Sequence, residues 1–568
     1  MIYRTEHPKP QFMREKWLNL NGEWQFEIDN SNSGEERKLF ESNKEFSLKI
    51  NVPFCPESKL SGIENVDFMN AVWYKRDFEI TEKQIGDLIF LHFGAVDYEA
   101  IVYINGQKCF THKGGYVSFC VDITDYVKIG TNTLTVNAID DTRNRLIPSG
   151  KQSKKFYSYG CFYTRTTGIW QTVWLEFVPK THIEKVKYVT TPSNASINIS
   201  AELCGSGTFS AEAFYNGKPV GKNSITSNGG VTNITIALSE KHLWEVGNGR
   251  LYDLVLTYGE DKVNSYFGLR SLQLDGHKFL INDKSVFQRL VLDQGFYPDG
   301  IYTAPSDSEL IADIERSLAI GFNGARLHEK VFEERFLYHC DRLGYIVWGE
   351  YPNWGLDHSY ADSIYAILPE WLEEIERDFN HPAIVGWCPF NETWDEHGRK
   401  QFDDLLSLVY KSTKAADPTR PCIDTSGNFH VITDIYDLHD YEQDPEVFSK
   451  HYEPLGKNNN FEFHSAFENR QHYNGKKPFF ISEYGGIAWT DQDGWGYGKS
   501  AKTSEEFLSR LKALTDTLLD NSLMFGFCYT QLTDVEQEQN GLFTYDRKSK
   551  FEAETIRKII SRKAAIED

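Results

Sequence analysis

AIVGWCPFNE, residues 383–392, is an apolar run of strand length that stops abruptly at Asn391 and Glu392. It is one of eight such runs. The others are VFQRLVL (286–292), NGARLH (323–328), GYIVWGE (344–350), PCIDTS (421–426), DIYDLH (434–439), KPFFISE (477–483) and MFGFCYT (524–530). Short runs of this kind, apolar throughout, suit strands buried on both faces of a parallel sheet. Amphipathic stretches lie between them, among them 306–321, 333–344, 368–380, 503–520 and 551–564. Ser306 and Thr503 are each followed three residues later by Glu, which predicts N-caps. Eight strands alternating with helices over 274–568 predict a (β/α)8 TIM barrel.

Upstream the pattern is different. Over 1–180, IVYINGQKCF (101–110) alternates about an Asn105-Gly106 turn, and TNTLTVNAI (131–139) and IWQTVWLEF (169–177) alternate too. This predicts a β-sandwich of jelly-roll type. Residues 181–273 are short strands rich in Ser, Thr, Asn and Gly, with a turn at Asn216-Gly217, and predict a smaller immunoglobulin-like sandwich. The expected architecture is therefore multidomain: two β-sandwiches (1–180 and 181–273) followed by a catalytic barrel (274–568).

A net charge of −22 repels nucleic acid and anionic membranes, so neither is an expected partner. No apolar run is long enough to span a bilayer. The nine cysteines form no CxxC pair, which argues against a zinc site or a disulfide framework. The opening MIYRTEHPKPQF has no apolar core of a secretory leader, so a reducing cytoplasm is the expected setting. No metal cluster or phosphate-cradling glycine loop is evident, and no cofactor is expected.

In a barrel of this class the reactive groups sit at the C-terminal ends of the strands. Two strand-end glutamates stand out there: Glu392 after the fourth run and Glu483 after the seventh. A lone strand-end Glu can equally be a rim carboxylate in an ion pair. Two in one barrel point to glycoside hydrolysis, which needs one carboxylic acid for the leaving oxygen and one carboxylate at the anomeric carbon. Asp293 ends the first strand and is a candidate for sugar hydroxyls, or else forms an Asx turn onto Gly295. Glu350 ends the third and is a candidate partner for an Arg. Trp394 and Trp489 are candidates for stacking on a sugar face, with Trp348, Trp354 and Trp495 as further aromatics. In QLTDVEQEQNGL (531–542), Asp534 and Glu536 are candidates for hydroxyl binding, or else belong to an acidic surface loop.

The ordered motifs resemble those of glycoside hydrolase family 2, which holds β-galactosidases, β-glucuronidases and β-mannosidases. LNGEWQF (20–26), AVWYKRDF (71–78) and TGIWQTVWLE (167–176) resemble the family's N-terminal sugar-binding sandwich, and FGLRSLQLDGHKFLINDKSV (267–286) resembles the entry into its barrel. RDFNHPAIVGWCPFNE (377–392) resembles the acid/base segment and PFFISEYGG (478–486) the nucleophile strand. The resemblance implies Glu392 as general acid/base with a raised pKa, Glu483 as nucleophile, and Asn391 on the sugar's 2-hydroxyl. It places Arg326 and His328 at the pocket floor, although the spacing here is R-x-H where the family has R-x-x-H. It places His439 or Tyr441 close to the nucleophile.

β-Glucuronidases of the family carry an Asn-x-Lys motif before a Gly-(Ile/Leu)-Phe-Thr-x-Asp-Arg segment. Here GLFTYDR (541–547) follows Glu538-Gln539-Asn540, so the lysine is missing. This implies a neutral sugar, with galactose favoured by family frequency and arabinopyranose, galactofuranose, glucuronide and mannoside as alternatives. A transglycosylase would use the same two glutamates; a non-catalytic carbohydrate-binding protein would need only the aromatics. The sandwich is expected to support the barrel and shape one side of the pocket. Homo-oligomers are common in the family, and nothing in the sequence sets their order.

Overall fold

The computed structural model describes residues 2–394, 400–427, 429–455, 473, 475–490 and 494–567. Near the N-terminus, a six-stranded and a four-stranded antiparallel sheet pack face to face. The long central strands Ala71–Ile80 and Gly130–Ile139 pair over ten residues. Their inward side chains, including Val72, Tyr74, Leu134 and Val136, meet Leu91 and Leu175 of the opposite sheet in a dry core. Asn105 and Gly106 both take positive φ (53° and 80°), the conformation of a tight hairpin turn.

A second sandwich follows, with three strands (His182–Thr191, Ser196–Cys204, Gly230–Ala237) against four (Lys218–Ser227, Gly207–Tyr215, Tyr252–Tyr258, Asp261–Phe267). Seven strands split four and three is the immunoglobulin-like arrangement. Arg14 locks the two sandwiches together: it forks onto Asp261 (2.9 and 3.0 Å) and also donates to Glu176 (2.9 Å).

The remainder is the barrel. Its parallel strands are Gln288–Asp293, Gly324–Leu327, Ile346–Glu350, Ile384–Cys388, Tyr436–Asp440, Phe479–Gly485 and Met524–Thr530. The fifth of the eight expected strands, PCIDTS (421–426), forms no continuous ladder. It meets the fourth only at Trp387–Cys422 and Asn391–Ser426. Toward the strand Tyr436–Asp440 it is tied by side chains, with the Ser426 hydroxyl donating to Asp437 at 2.7 Å and the Gly427 amide at 3.1 Å. Pro421 has no N–H, and Asp437 takes the place of a backbone acceptor. Trp348 lies inside the barrel against Gly386, and Trp387 lies between the strands and the helix Ile364–Asp378 against Gly349; at either glycine a Cβ would stand 2.3–2.5 Å from an indole carbon.

The helices pack outside, and their caps differ from one another. Thr503 accepts from the Glu506 amide and caps the helix Ser504–Leu519. Ser306 does not cap the helix Asp307–Ala319, because its hydroxyl pairs with that of Ser308 at 2.7 Å.

Candidate active site

Glu392 and Glu483 meet over the mouth of the barrel. One carboxylate oxygen of each, with a ring nitrogen of His439, form a cluster whose members all lie within 4.8 Å of one another. The local backbone explains their aim. His439 and Glu483 are register partners on adjacent strands. Tyr484 turns outward and bonds Thr515 of a surrounding helix at 2.8 Å, so alternation sends Glu483 inward. Glu392 sits at φ 47°, a region that residues with side chains seldom occupy. The preceding peptide is pinned: the Asn391 amide donates to Asn353 (2.7 Å), and its carbonyl accepts from Asn353 (3.1 Å) and from the Trp354 indole (3.1 Å).

Both oxygens of Glu483 are addressed. Arg326 donates to Glu483 (2.9 Å), to Glu350 and to the Asn391 side-chain oxygen (3.0 Å). Tyr441 donates to the other oxygen of Glu483, its ring stacked on Tyr497 at 3.5 Å. His328 lies 3.1 Å from Glu350 and 3.9 Å from Glu483. The R-x-H spacing thus works, because residues two apart on a strand face the same way. Asn391 presents its oxygen to Arg326, which leaves its NH2 group buried and, among the described residues, without a partner. That donor is free for a substrate hydroxyl.

The charges are coupled. His439 Nδ1 lies 2.7 Å from Glu392 and 3.4 Å from Glu483. Burial pushes His439 down, but the charges of Glu483 and Glu392 outweigh it, and its pKa is raised. Burial would raise Glu392, but the hydrogen bond and charge of His439, helped by Lys151 and the Trp394 indole, hold it below its ordinary value. The raised pKa expected for Glu392 is thereby corrected: the neighbouring His439 lowers it. His328 is held well below the ordinary range by burial and the nearby Lys151 cation, and so is neutral.

Four expected residues lie apart from this cluster. Asp293 forms the Asx turn onto the Gly295 amide (2.9 Å), and burial pushes it up to about 6. Trp489 packs edge-on against Phe507 and Phe551 at 5.8 and 5.1 Å. Asp534 pairs with Lys550 (2.6 Å) and accepts from the Gly541 amide, while Glu536 accepts from the Thr164 amide (3.1 Å). With Trp489 these two carboxylates border a separate cavity of about 520 Å³. Among the described residues no contact joins them to Glu392 or Glu483; they brace the loop after the eighth strand.

Lys151 was absent from the sequence reading. It lies in the sandwich loop 141–167, which crosses onto the barrel. There the Ser149 amide donates to the Trp354 carbonyl (2.8 Å), the Gly150 amide to Pro352 (3.3 Å) and the Gln294 side chain to the Tyr163 hydroxyl (3.0 Å). Nothing in the local sequence marks a lysine of one domain as bound for the pocket of another.

The family models match the chain in two places: "Glycosyl hydrolases family 2, sugar binding domain" over residues 17–175 and "Glycosyl hydrolases family 2, TIM barrel domain" over 272–564. The chain belongs to glycosyl hydrolase family 2. Curated family 2 relatives include a β-galactosidase of Thermoanaerobacter pseudethanolicus, 26% identical over 74% of this chain and 57% of the relative. Another is a putative β-glucuronidase of Formosa agariphila, 29% identical over 61% of this chain and 44% of the relative. The chain thus spans about half the length of these two. A solved β-glucuronidase of Lactobacillus rhamnosus superposes with a TM-score of 0.81 at 20% identity, covering 98% of this chain and 99% of that one, which shows the family 2 fold.

Proposed function

We propose that the protein is a retaining, exo-acting β-glycosidase that removes a terminal neutral sugar by double displacement. The observation that carries this is the separation of Glu392 and Glu483: carboxylate oxygens within 4.8 Å leave no room for the water that an inverting enzyme places between its acid and base. In the first step a Glu483 oxygen attacks the anomeric carbon while Glu392 protonates the leaving oxygen. The proton reaches Glu392 across the 2.7 Å bond from His439. In the second step Glu392 takes a proton from water, which releases the sugar and restores Glu483. The free Asn391 donor would bind the 2-hydroxyl, a contact that strengthens in the transition state.

A neutral sugar is supported by the absence of lysine in Glu538-Gln539-Asn540 and by the carboxylate of Glu538 in that segment. A β-galactoside is the first substrate to try, with arabinopyranosides, galactofuranosides, mannosides and glucuronides in the same panel. Glu392→Ala and Glu483→Ala should each lose at least roughly 10²–10⁴-fold in kcat/KM. Added azide should rescue Glu392→Ala with a β-glycosyl azide and Glu483→Ala with an α-glycosyl azide. Wild-type rates in both variants would overturn the assignment.

A further inference from the structure

Lys151 is 6% exposed, yet among the described residues its ammonium makes no hydrogen bond or ion pair. Its position is not accidental to the loop. Gly150 before it takes φ 53° where a Cβ would stand 2.5 Å from the Glu329 carbonyl, and the Lys151 carbonyl accepts from the Tyr163 amide at 2.7 Å. The side chain passes the Trp354 ring, with the nitrogen 5.1 Å from its centroid. The carboxylates in electrostatic reach of that nitrogen include Glu538, Glu483 and Glu392. An ammonium so largely withdrawn from water favours any acceptor that a bound ligand offers it.

Glu538, the strongest of these charges on Lys151, is 2% exposed, with one oxygen accepting from the Tyr163 hydroxyl and the other from Asn540 at 3.0 Å. Both of these donors are neutral, so the Glu538 charge is offset only through space. A sugar carboxylate drawn to Lys151 would therefore be set against Glu538, and against Glu392 and Glu483 behind it. A hydroxyl oxygen meets no such opposition.

Resting on the neutral-glycosidase reading, we propose that Lys151, supplied by the N-terminal sandwich, is a specificity-determining residue of the sugar subsite. Its ammonium donates to one ring hydroxyl remote from the anomeric carbon, and Glu538 excludes a carboxylate from the same place.

The test compares wild type, Lys151→Met and Glu538→Gln on the neutral glycoside that wild type cleaves. The same measurements cover its deoxy versions, each lacking one hydroxyl other than that at C2, and the matching uronide. A hydrogen bond from a charged donor predicts a loss of about 10–100-fold in kcat/KM for Lys151→Met on the full sugar. On one deoxy glycoside, itself slow with wild type, the same substitution should change the rate less than about threefold. That near-equality also shows that the variant is folded. Glu538→Gln should raise the uronide-to-neutral ratio about tenfold or more. Equal losses for Lys151→Met on every deoxy glycoside, or no loss on any substrate, would overturn the inference while leaving the glycosidase reading intact. A wild type that prefers the uronide would overturn the inference and the neutral-sugar reading, but not the double displacement. A wild type that cleaves nothing in the panel would remove both.

Discussion

The Nδ1 atom of His439 stands 2.7 Å from a carboxylate oxygen of Glu392. Their closeness raises His439 and lowers Glu392 from their ordinary values, so the proton for the first step is expected to start on His439. Catalysis in the first step needs that proton present, so kcat/KM should fall as pH rises through the raised His439 pKa, above the 6.5 of an ordinary histidine. In His439→Asn the proton must sit on Glu392 itself, and the alkaline limb of the profile should move to lower pH. A limb that stays in place in the variant would show that His439 does not hold the catalytic proton.

Tyr441 donates to the Glu483 oxygen that does not contact Arg326. Tyr441→Phe keeps the stack on Tyr497 and removes only the donor. A hydrogen bond to a charged group predicts a fall of about 10–100-fold in kcat/KM with the melting temperature nearly unchanged. Steady-state kinetics and a thermal melt check both halves, and an unchanged rate would remove Tyr441 from the machinery.

Arg326 lies between Glu350 and Glu483, both carboxylates being 5% exposed or less. Arg326→Met strands two buried carboxylates, which should cost the barrel about 3–5 kcal/mol and abolish activity. Adding Glu350→Gln should recover part of the stability and none of the activity. Chemical denaturation of the single and double variants measures the difference; a double variant no more stable than the single would mean that Glu350 is not what Arg326 compensates.

Glu57 and Asp140 lie buried in the first sandwich, and among the described residues each has one carboxylate oxygen without a hydrogen-bond partner. Burial pushes Glu57 up to about 7, and burial with the charge of Glu57 pushes Asp140 up to about 8. Because the folded values exceed the unfolded ones, the folded state binds more protons in between. Their contribution is complete below about pH 4 and is lost as pH rises to about 8. Asp140→Asn should flatten the decline in sandwich stability over that range. Denaturation midpoints from pH 5 to 8 test it, and parallel slopes for the two proteins would count against the idea.

The alternation of apolar runs and amphipathic stretches determined the barrel, because burial on both faces leaves only one sequence solution for a parallel strand. The strand-end positions of Glu392 and Glu483 were readable for the same reason. Arg326 and His328 were readable too, because residues two apart on a strand face the same way. The fifth strand was legible as an apolar run but not as an irregular one, since its partner is the Asp437 side chain on another strand. Asp534, Glu536 and Trp489 read as pocket residues by their place after barrel strands. Their actual partners, Lys550, the Thr164 amide and Phe551, lie on other segments and drew them elsewhere. Only tertiary structure decided the protonation of Glu392, which depends on a histidine 47 residues away, and the arrival of Lys151 from a different domain. Strand patterns follow from local periodicity, whereas pKa values and pocket walls are set by groups that the chain brings together only when it folds.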